Sequence, residues 1–364
     1  MSDAARPIEC TADEGFTRWM AEAGGTLAVS TYQAGKLVLI GWNGQQVTVL
    51  PRDFQKPMGL AVDGTRLALA CQHEVILFTD ATPSASCHPA PHAGGCDTVF
   101  LPHAVYQTGD MNIHDIAFSG DDLWMVNTRF SCLSNLTDRC RVQPQWHPPF
   151  VSKLVPEDRC HLNGMAMLNG RPKYVTAHGD TDVRGAWKSD RAKGGVLLDV
   201  ESGETVMRDF CMPHSPRHHA GHWWTLNSGR GELCVVDPES GTMGVVCALP
   251  GYVRGLCFTD HHAIVGLSKI RTSHLFDGLP LQERFTKLFC AVVVVDLGSG
   301  KEVGRFQFTG GCEELYDVQF IPGRPRTAIA MDSDCRLPWR NDGAGNLINT
   351  GMTMGTADEI RHIS

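Results

Sequence analysis

Short stretches in which a small or acidic residue precedes an alternation of apolar residues recur along the chain. An alternation with a period of two places every second side chain on the same face, which predicts strands rather than helices. Each stretch is followed within a few residues by a second strand-like run, and usually by a third. Six stretches share the pattern: KPMGLAVDG (56–64), NIHDIAFSG (112–120), HLNGMAMLNG (161–170), HSPRHHAG (214–221), YVRGLCFTD (252–260) and ELYDVQFIPG (314–323).

The six stretches align on one position each, and successive positions lie roughly 40 to 60 residues apart. Turn sequences such as DG, NG and DLGSG separate the runs, and Gly and Asn accept the positive φ that tight hairpins require. Units of this length with three or four antiparallel strands are typical of propeller blades. The sequence therefore predicts an all-β fold, a six-bladed β-propeller. The aligned positions are Gly59, Asp115, Gly164, Arg217, Gly255 and Asp317.

The two ends of the repeat complement each other. The N-terminal runs TLAVSTY and KLVLIGW have no first strand of their own, and the last unit has only two clear strands. N-terminal strands that complete the C-terminal blade would close the ring and remove its open edges. We therefore expect an N-terminal extension with a short helix (1–24), a propeller (25–335) and a Gly-rich C-terminal tail (336–364). A double-sheet sandwich is the alternative architecture.

Composition and charge narrow the functional classes. The 364 residues carry a net charge of −8, and the Lys and Arg residues are scattered, so no basic face is predicted for nucleic acid or an anionic membrane. The N-terminus lacks an apolar run of signal-peptide length, and no window is apolar enough to span a membrane. We expect a cytoplasmic protein whose 14 cysteines are mostly reduced, since no CxxC occurs.

Longer motifs point to the same fold. LWMVNTRFSCL, PPFVSKLVPEDRCHLNGMAM, MPHSPR with LNSGRGEL, and VRGLCFTD with GLSKIR resemble a bacterial family of conserved β-propeller proteins of unknown function. The resemblance covers about residues 20–335, and a weaker one links the chain to NHL-repeat and gluconolactonase-like six-bladed propellers. It implies the fold and names no activity. The lactonase type uses Glu, Asn and Asp metal ligands, whereas here histidines fill channel positions, which disfavours a lactonase.

The propeller geometry predicts a polar site at one mouth of the channel. The first strand of each blade lines the channel and begins on the face where the second strand ends, so side chains from both places meet there. One residue before the aligned positions stand Met58, His114, Asn163, Pro216, Arg254 and Tyr316. Three residues before them stand Lys56, Asn112, His161, His214, Tyr252 and Glu314. The ends of the second strands add, among others, Asn127, Arg129, His178 and Lys269.

Four of these histidines are candidate metal ligands: His114, His161, His178 and His214. Imidazole suits a transition metal ion, and the residues do not distinguish Zn, Cu, Fe or Mn. Such an ion polarises a carbonyl or generates hydroxide from water. His161, His178 and Glu314 are the candidate catalytic residues. The candidate substrate-binding residues are Arg129, Arg254, Asn127, Asn163, Lys269 and Tyr316.

Two other interpretations of the same residues stay open. The mouth could bind a polar ligand without a metal, or its histidines could serve structure only. Asp115 and Asp317, at aligned positions, are the alternative partners of Arg129 and Arg254, which would make those cations structural. Three long segments, 129–150, 179–192 and 270–288, are predicted to be loops that act as lids or specificity elements.

The residues favour a metal-assisted enzyme, a hydrolase, lyase, isomerase or oxidase, acting on a small polar or peptidic substrate at the channel mouth. The alternative is a non-catalytic binding module that recognises a peptide, glycan or protein partner over the same face. Such a module predicts exposed aromatic side chains at the mouth. Neither hypothesis predicts an oligomeric state.

Overall fold

The computed structural model of the chain describes residues 7–80, 96–137, 141–270 and 278–330, with four short strands between 335 and 354. Its strands form six sheets of four or five strands, arranged in a ring, so the predicted six-bladed β-propeller is confirmed. We number the blades from 1 to 6 by the order of their innermost strands. Each blade runs antiparallel from the channel outward, as hairpin connections require.

The first three blades are consecutive in the chain. Blade 1 holds β5 (Leu60–Asp63), β6 (Arg66–Ala70), β7 (Glu74–Asp80) and β8 (Thr98–Gln107). Blade 2 holds β9 (Ile113–Ser119), β10 (Asp122–Asn127), β11 (Cys132–Thr137) and β12 (Arg141–Trp146). Blade 3 holds β13 (Leu162–Leu168), β14 (Arg171–Ala177), β15 (Gly195–Asp199) and β16 (Thr205–Phe210).

The next two blades follow the same order. Blade 4 holds β17 (Pro213–His219), β18 (His222–Asn227), β19 (Glu232–Asp237) and β20 (Thr242–Ala248). Blade 5 holds β21 (Tyr252–Phe258), β22 (His262–Ser268), β23 (Ala291–Asp296) and β24 (Lys301–Gly310), with β1 (Glu9–Ala12) on its outer edge. The α-helices among the described residues are α1 (Glu14–Ala23) and α2 (Pro280–Arg284).

Blade 6 closes the ring with strands from both ends of the chain. Its innermost strand is β25 (Asp317–Pro322), and its other strands are β2 (Gly25–Ser30), β3 (Lys36–Trp42) and β4 (Val47–Asp53). β25 and β2 pair antiparallel over their whole length, from Ser30 opposite Asp317 to Gly25 opposite Pro322. The predicted completion of the C-terminal blade by N-terminal strands is therefore confirmed.

Additional strands cover two outer edges. β1 pairs with β24 of blade 5, and β26 (Thr327–Ile329) pairs in parallel with β8 of blade 1. Covering an edge satisfies backbone groups that would otherwise pair with another chain. The four further short strands are β27 (Cys335–Arg336), β28 (Trp339–Asn341), β29 (Leu347–Asn349) and β30 (Thr353–Met354). The remainder of the predicted tail lies outside the described residues.

The N-terminal helix is held by its ends and by one apolar face. The Asp13 side chain accepts a hydrogen bond of 2.7 Å from the backbone N–H of Phe16, and Gly24 ends the helix in the left-handed region. Phe16 packs 5.5 Å from Phe306 of blade 5, measured between ring centres. α1 therefore extends the apolar core between blades 5 and 6. Neither helix in the part of the chain that the structure describes is long and apolar enough to cross a membrane.

Of the three predicted loops, one is wrong. Most of 129–150 forms β11 and β12, the outer half of blade 2; the exposed outermost strand lacks the apolar alternation that signals a strand. Segment 179–192 contains only a short 3-10 helix, Ala186–Asp190. Within 270–288 the structure places α2, and residues 271–277 lie outside the described part.

A layer of alternating glycines and charged residues crosses the channel at the six aligned positions. Arg217 forms two hydrogen bonds with Asp115 across the ring, of 2.7 and 3.1 Å, and lies 3.8 Å from Asp317. Asp115 and Asp317 therefore share Arg217, and their predicted pairing with Arg129 or Arg254 is wrong. The glycines of the layer alternate with these charged residues, and at Gly255 the neighbouring backbone leaves no room for a side chain: an added Cβ would lie 2.7 Å from a backbone nitrogen.

The charged members of this layer bind the backbone of the neighbouring blade. Asp115 accepts a hydrogen bond from the N–H of Met165 in blade 3, and Asp317 accepts one from Leu60 in blade 1, both of 3.0 Å. Arg217 donates through Nε to the carbonyl oxygen of Leu256 in blade 5, at 3.2 Å. The layer, here called the charge layer (Asp115, Arg217 and Asp317), thus ties the six blades together from inside.

Candidate functional site

Four predicted histidines lie in a row at the channel mouth, contributed by blades 2, 3 and 4. The ring centres of His114 and His161 are 4.8 Å apart, those of His161 and His178 are 4.4 Å apart, and those of His178 and His214 are 5.0 Å apart. Their side chains are buried or nearly so; His178 is only 1% exposed. The structure therefore brings together residues from sequence positions 114 to 214, here called the histidine row.

His114 is oriented by two oxygen atoms on its outer side. Its Nδ1 lies 2.9 Å from the carbonyl oxygen of Asn112 and 2.8 Å from Oγ1 of Thr128. The Thr128 hydroxyl donates its own hydrogen to the carbonyl of Leu162. Both neighbours of Nδ1 are therefore acceptors, which assigns the ring proton to Nδ1 and leaves a lone pair on Nε2.

His214 repeats this arrangement in blade 4. Its Nδ1 lies 3.0 Å from the carbonyl oxygen of Met212 and 2.9 Å from Oγ of Ser228. The ring proton is again on Nδ1, so Nε2 carries the lone pair. That Nε2 atom is buried and has no hydrogen-bond partner among the described residues.

His161 is held by a carboxylate and covered by an indole. Its Nδ1 lies 2.8 Å from Oδ2 of Asp158, and the ring centre of Trp187 is 4.3 Å away. Trp187 also donates through Nε1 to the carbonyl oxygen of Asp158. His161 has a φ of 52°, an uncommon backbone conformation for a residue other than glycine. The chain immediately before β13 is thus shaped to present this ring.

His178 lies at the centre of the row, and neither of its ring nitrogens has a hydrogen-bond partner among the described residues. Burial, with smaller contributions from neighbouring imidazoles, lowers the pKa of His114, His178 and His214 well below the usual value. Arg254 acts in the same direction on the pKa of all three. These imidazoles are therefore neutral at pH 7, and those of His178 and His214 present lone pairs that have no partner among the described residues.

Blades 5 and 6 supply the charged and phenolic side of the mouth. Arg254 donates through Nη1 to Oε1 of Glu314 at 3.2 Å, and its guanidinium carbon lies 4.0 Å from the ring centre of Tyr316. The Tyr316 ring is in turn 5.2 Å from that of His114. Nε of Arg254 and the hydroxyl of Tyr316 are buried and lack a hydrogen-bond partner within the described structure.

A small cavity separates the two sides. It is lined by His114 and His214 on one side and by Arg254 and Tyr316 on the other, and the charge layer contributes to its wall. The space open to the centre of a water-sized sphere is about 10 Å³, which is about what one water molecule requires. The mouth thus contains a pocket for a single small group.

Two of the predicted substrate-binding cations lie at the rim. Arg129 pairs with Asp110 at 2.7 Å, and its side chain is 42% exposed. Lys269 lies 3.6 Å from Glu313 and is 40% exposed. Neither cation lines the cavity, and their substrate-binding role stays a prediction.

The two predicted asparagines already have partners within the protein. Asn163 lines the cavity, but its Nδ2 donates to the carbonyl oxygen of Pro213 and its Oδ1 accepts from Thr176. Asn127 accepts from the backbone N–H of Phe130 and thereby shapes the turn after β10. Their role toward a substrate also stays a prediction.

Sequence reasoning assigned no orienting role to the residues that hold the histidines in place. Thr128 and Ser228 each stand one residue beyond a second strand, and Ser30 and Ser268 occupy the ends of two others. A hydroxyl that recurs at this place is a signal that the sequence offers. Asp158 and Trp187 have no such periodic signal, because they belong to irregular segments of blade 3.

The donor atoms of the row are not yet arranged as metal ligands. In residues 7–80, 96–137, 141–270 and 278–330, no group of three or more His, Cys, Asp or Glu side chains could hold a metal ion as they stand. The rings meet edge to face or tilted, so binding an ion would require rotation of some of them. Metal binding therefore stays a prediction.

The sequence also matches a known family. A model described as a domain of unknown function (DUF4915) covers residues 14–330. The chain belongs to this family. That span includes the whole histidine row, Arg254, Glu314 and Tyr316, so the site lies within the family's domain. The predicted membership of an uncharacterised family is confirmed, whereas its bacterial origin and the likeness to NHL-repeat and gluconolactonase-like propellers stay predictions.

Solved structures similar to this member of the DUF4915 family share its fold at low sequence identity. One, from the crystal structure of a nidogen/laminin complex, has a TM-score of 0.53 and 12% identity over 82% of this chain and 99% of that chain. Another, a protein of unknown function from Bacteroides caccae, has a TM-score of 0.50 and 9% identity over the same shares. No curated protein matches the chain. These likenesses support the fold alone.

Proposed function

We propose that the protein is a metal-assisted enzyme that binds a transition metal ion through the histidine row and acts on a small polar or peptidic substrate at the channel mouth. One observation carries the proposal: His178 and His214 bury three ring nitrogens without a hydrogen-bond partner among the described residues. A buried polar atom of this kind calls for a water or an ion. Because His214 carries its proton on Nδ1, the lone pair on its Nε2 is available to bind a cation.

The outer partners of the rings also fit a metal centre. Metal-binding histidines generally donate their second ring nitrogen to a carbonyl oxygen or a carboxylate, which fixes the ring and its tautomer. His114 and His214 do so with carbonyl oxygens, and His161 does so with Asp158. The lowered pKa values of His114 and His214 keep these rings in the neutral form that a metal requires.

The reaction follows from what such an ion supplies. A transition metal polarises a carbonyl or lowers the pKa of a bound water, which serves a hydrolase, lyase or isomerase, and a redox-active ion serves an oxidase. Zn, Cu, Fe and Mn all accept imidazole ligands. Glu314, held by Arg254, is the carboxylate to which we assign proton exchange with the substrate.

The alternative, a non-catalytic binding module, receives less support. A face that recognises a peptide, glycan or protein usually presents exposed aromatic side chains. At this mouth Trp187, Tyr252 and Tyr316 are only 3%, 4% and 4% exposed. Their burial favours a small enclosed ligand over a broad partner surface.

The test is the metal content of untagged protein, measured by inductively coupled plasma mass spectrometry. We expect about one transition metal ion per chain, and loss of most of it in His161→Ala and His178→Ala. His218→Ala, in an exposed hairpin of blade 4, is the matched control and should leave the content unchanged. Protein without stoichiometric metal, or two row variants that retain it, would contradict the proposal.

A further inference from the structure

Two cysteines in blade 5 place their sulfur atoms in contact. Cys290 directly precedes β23, and Cys312 follows β24 by two residues. Their Sγ atoms lie 3.8 Å apart, although the residues are 22 positions apart in the chain. Because β22 ends at the mouth, the antiparallel β23 begins there and β24 ends there. The two cysteines, here called the thiol pair, therefore lie at the same end of the propeller as the histidine row.

The hydrogen atoms of the thiol pair can be assigned from what Cys312 contacts. Its Sγ lies 3.4 Å from the carbonyl oxygen of Glu314, which can only accept, so Cys312 donates to it. The contact between the two sulfurs then uses the hydrogen of Cys290. This hydrogen bond and burial raise the pKa of the Cys290 thiol. Cys312 thus links Cys290 to the chain that carries Glu314 and Tyr316 into the mouth.

The chain that follows the thiol pair is held between blades 5 and 6. The backbone N–H of Leu315 donates to Oγ of Ser268 at the end of β22, at 2.9 Å. The N–H of Tyr316 donates to the carbonyl oxygen of Ser30 at the end of β2, at 2.8 Å. A covalent bond from Cys312 to the start of β23 would anchor the beginning of the same stretch. The redox state of the thiol pair therefore bears on the backbone that positions the charged and phenolic side of the mouth.

We propose that Cys290 and Cys312 form a reversible disulfide when hydrogen peroxide reaches the protein, and that this bond anchors the chain leading to Glu314 and Tyr316. Peroxide oxidises the Cys312 thiol to a sulfenic acid and releases one water molecule. The Cys290 sulfur then loses its proton and attacks the sulfenic sulfur, and the displaced hydroxyl group leaves with that proton as a second water. The two thiols lose two electrons and two protons, which reduce peroxide to water. The inference goes beyond the proposed function and requires neither a metal nor a substrate.

Burial selects both the oxidant and the product. Cys290 is 0% and Cys312 is 3% exposed, so a large oxidant such as glutathione disulfide does not reach the sulfurs, whereas peroxide is little larger than water. A disulfide requires the sulfurs to approach by about 1.8 Å. A sulfenic acid this close to a second thiol condenses with it before further oxidation. The raised pKa of Cys290 keeps its thiolate fraction small, so the bond should form over hours rather than seconds.

The experiment maps disulfides by mass spectrometry in the full-length protein after incubation with hydrogen peroxide. Cys290 and Cys312 are each the sole cysteine of a tryptic peptide, 288–301 and 306–326. We expect these peptides as one linked species, about 2 Da lighter than their sum, which dithiothreitol separates. The melting temperature of the oxidised protein should rise by about 5 °C, because the bond restricts the unfolded chain.

Variants and hydrogen exchange separate the thiol pair from its surroundings. Cys290→Ser and Cys312→Ser should each abolish the linked species. Cys10→Ser is the matched control, since Cys10 packs against the same apolar cluster from β1 and should not be needed for the bond. Amide exchange at residues 313–316 should slow in the oxidised protein, and unchanged exchange there would overturn the anchoring.

The wild type alone decides the redox chemistry, whatever the folding of the variants. The specific link between the two peptides, reversed by dithiothreitol, supports the inference. Unlinked peptides after peroxide treatment, a sulfinic or sulfonic acid at Cys312 in place of the link, or a link to another cysteine overturns it. Metal analysis of the reduced protein tests the proposed function separately, so either can fail without the other.

Discussion

Two polar regions of the same channel, the charge layer and the histidine row, differ in how their groups are satisfied. In the charge layer, none of the three side chains has a buried nitrogen or oxygen without a partner within the described residues. In the row, His178 lacks a partner at both nitrogens and His214 at one, again among the residues that the structure describes. Both regions are buried or nearly so, and both belong to the channel side of the blades. Burial alone therefore does not distinguish a structural polar group from a functional one.

The two regions differ in what pairs with their buried polar groups. Arg217 joins Asp115, a residue 102 positions away, and reaches backbone groups of blades 3 and 5. A polar network whose donors and acceptors are all paired within the protein stabilises one arrangement of the blades, but it offers no donor or acceptor to a ligand. The row leaves three buried ring nitrogens without a partner among the described residues, and an incomplete buried polar set is costly unless a function maintains it.

The first prediction breaks the charge layer. Arg217→Met keeps much of the side-chain volume but leaves Asp115 and Asp317 buried together without a cation. We expect a loss of about 3–5 kcal/mol in the free energy of unfolding, because uncompensated buried charge is strongly destabilising. Denaturant titration followed by circular dichroism measures it.

The matched control removes a cation from an exposed pair. Lys269→Met, at the rim beside Glu313, should cost less than about 0.5 kcal/mol. Equal effects of the two substitutions would show that the layer adds nothing beyond an ordinary surface pair.

The second prediction tests the glycines that let the charged side chains meet. Gly255 has a φ of 81°, and an added Cβ would lie 2.7 Å from the backbone nitrogen of Val318. We expect Gly255→Ala to cost about 2–3 kcal/mol, from the left-handed backbone and the overlap together. Gly64→Ala shares the positive φ, 55°, but meets nothing within 4 Å, and should cost about 1 kcal/mol. A thermal melt of both variants compares them; equal shifts would contradict the close approach.

The third prediction concerns the charge layer, whose contribution to stability should depend on pH through Asp317. Burial raises the pKa of Asp317 to about 7, against the lowering effect of Arg217. The pKa of Asp317 in the folded protein exceeds its value of about 4 in the unfolded chain. Its protonated carboxyl therefore contributes its full stability below pH 4, and this contribution is lost as the pH rises through 7. Between pH 5 and pH 7 the wild type should lose about 2 kcal/mol relative to Asp317→Asn. Urea titrations at both pH values measure the difference, and parallel pH profiles of the two proteins would refute it.

The fold was predictable because its signals are local. The recurring pattern and the Gly-containing turns mark all six inner strands, and ring closure follows from the N-terminal strands that lack a first strand of their own. The outer half of blade 2 was missed because an exposed outer strand such as β12 loses its alternation.

The site was predictable in part. His114 stands one residue before its aligned position and His214 three residues before, so both side chains lie on the same side of their strands and the sequence assigns both to the mouth. Which charges meet could not be inferred, because Arg217 of blade 4 pairs with Asp115 of blade 2, past the strand of blade 3 between them, and register within one blade does not encode such a contact. The same holds for Asp158, whose irregular segment gives no periodic signal.

The last prediction has the smallest expected effect on stability and is the most direct test of the proposed function. His178→Phe replaces a ring whose two nitrogens have no partner among the described residues with an apolar ring of similar shape. Since no internal hydrogen bond is lost and the neighbours are Trp187 and two imidazoles, the metal-free variant should unfold within about 1 kcal/mol of the metal-free wild type, or be more stable.

If the row holds a metal ion, as proposed, the same substitution should remove most of that metal and, with it, the additional stability that the metal would give the wild type. Thermal melts with and without chelator, together with metal analysis, measure both effects. A metal-free His178→Phe that is destabilised as strongly as Arg217→Met would place the histidine row with the charge layer, as a structural device. Unchanged stability with lost metal would establish the opposite, because groups that serve a ligand are dispensable to the fold and groups that serve the fold are not.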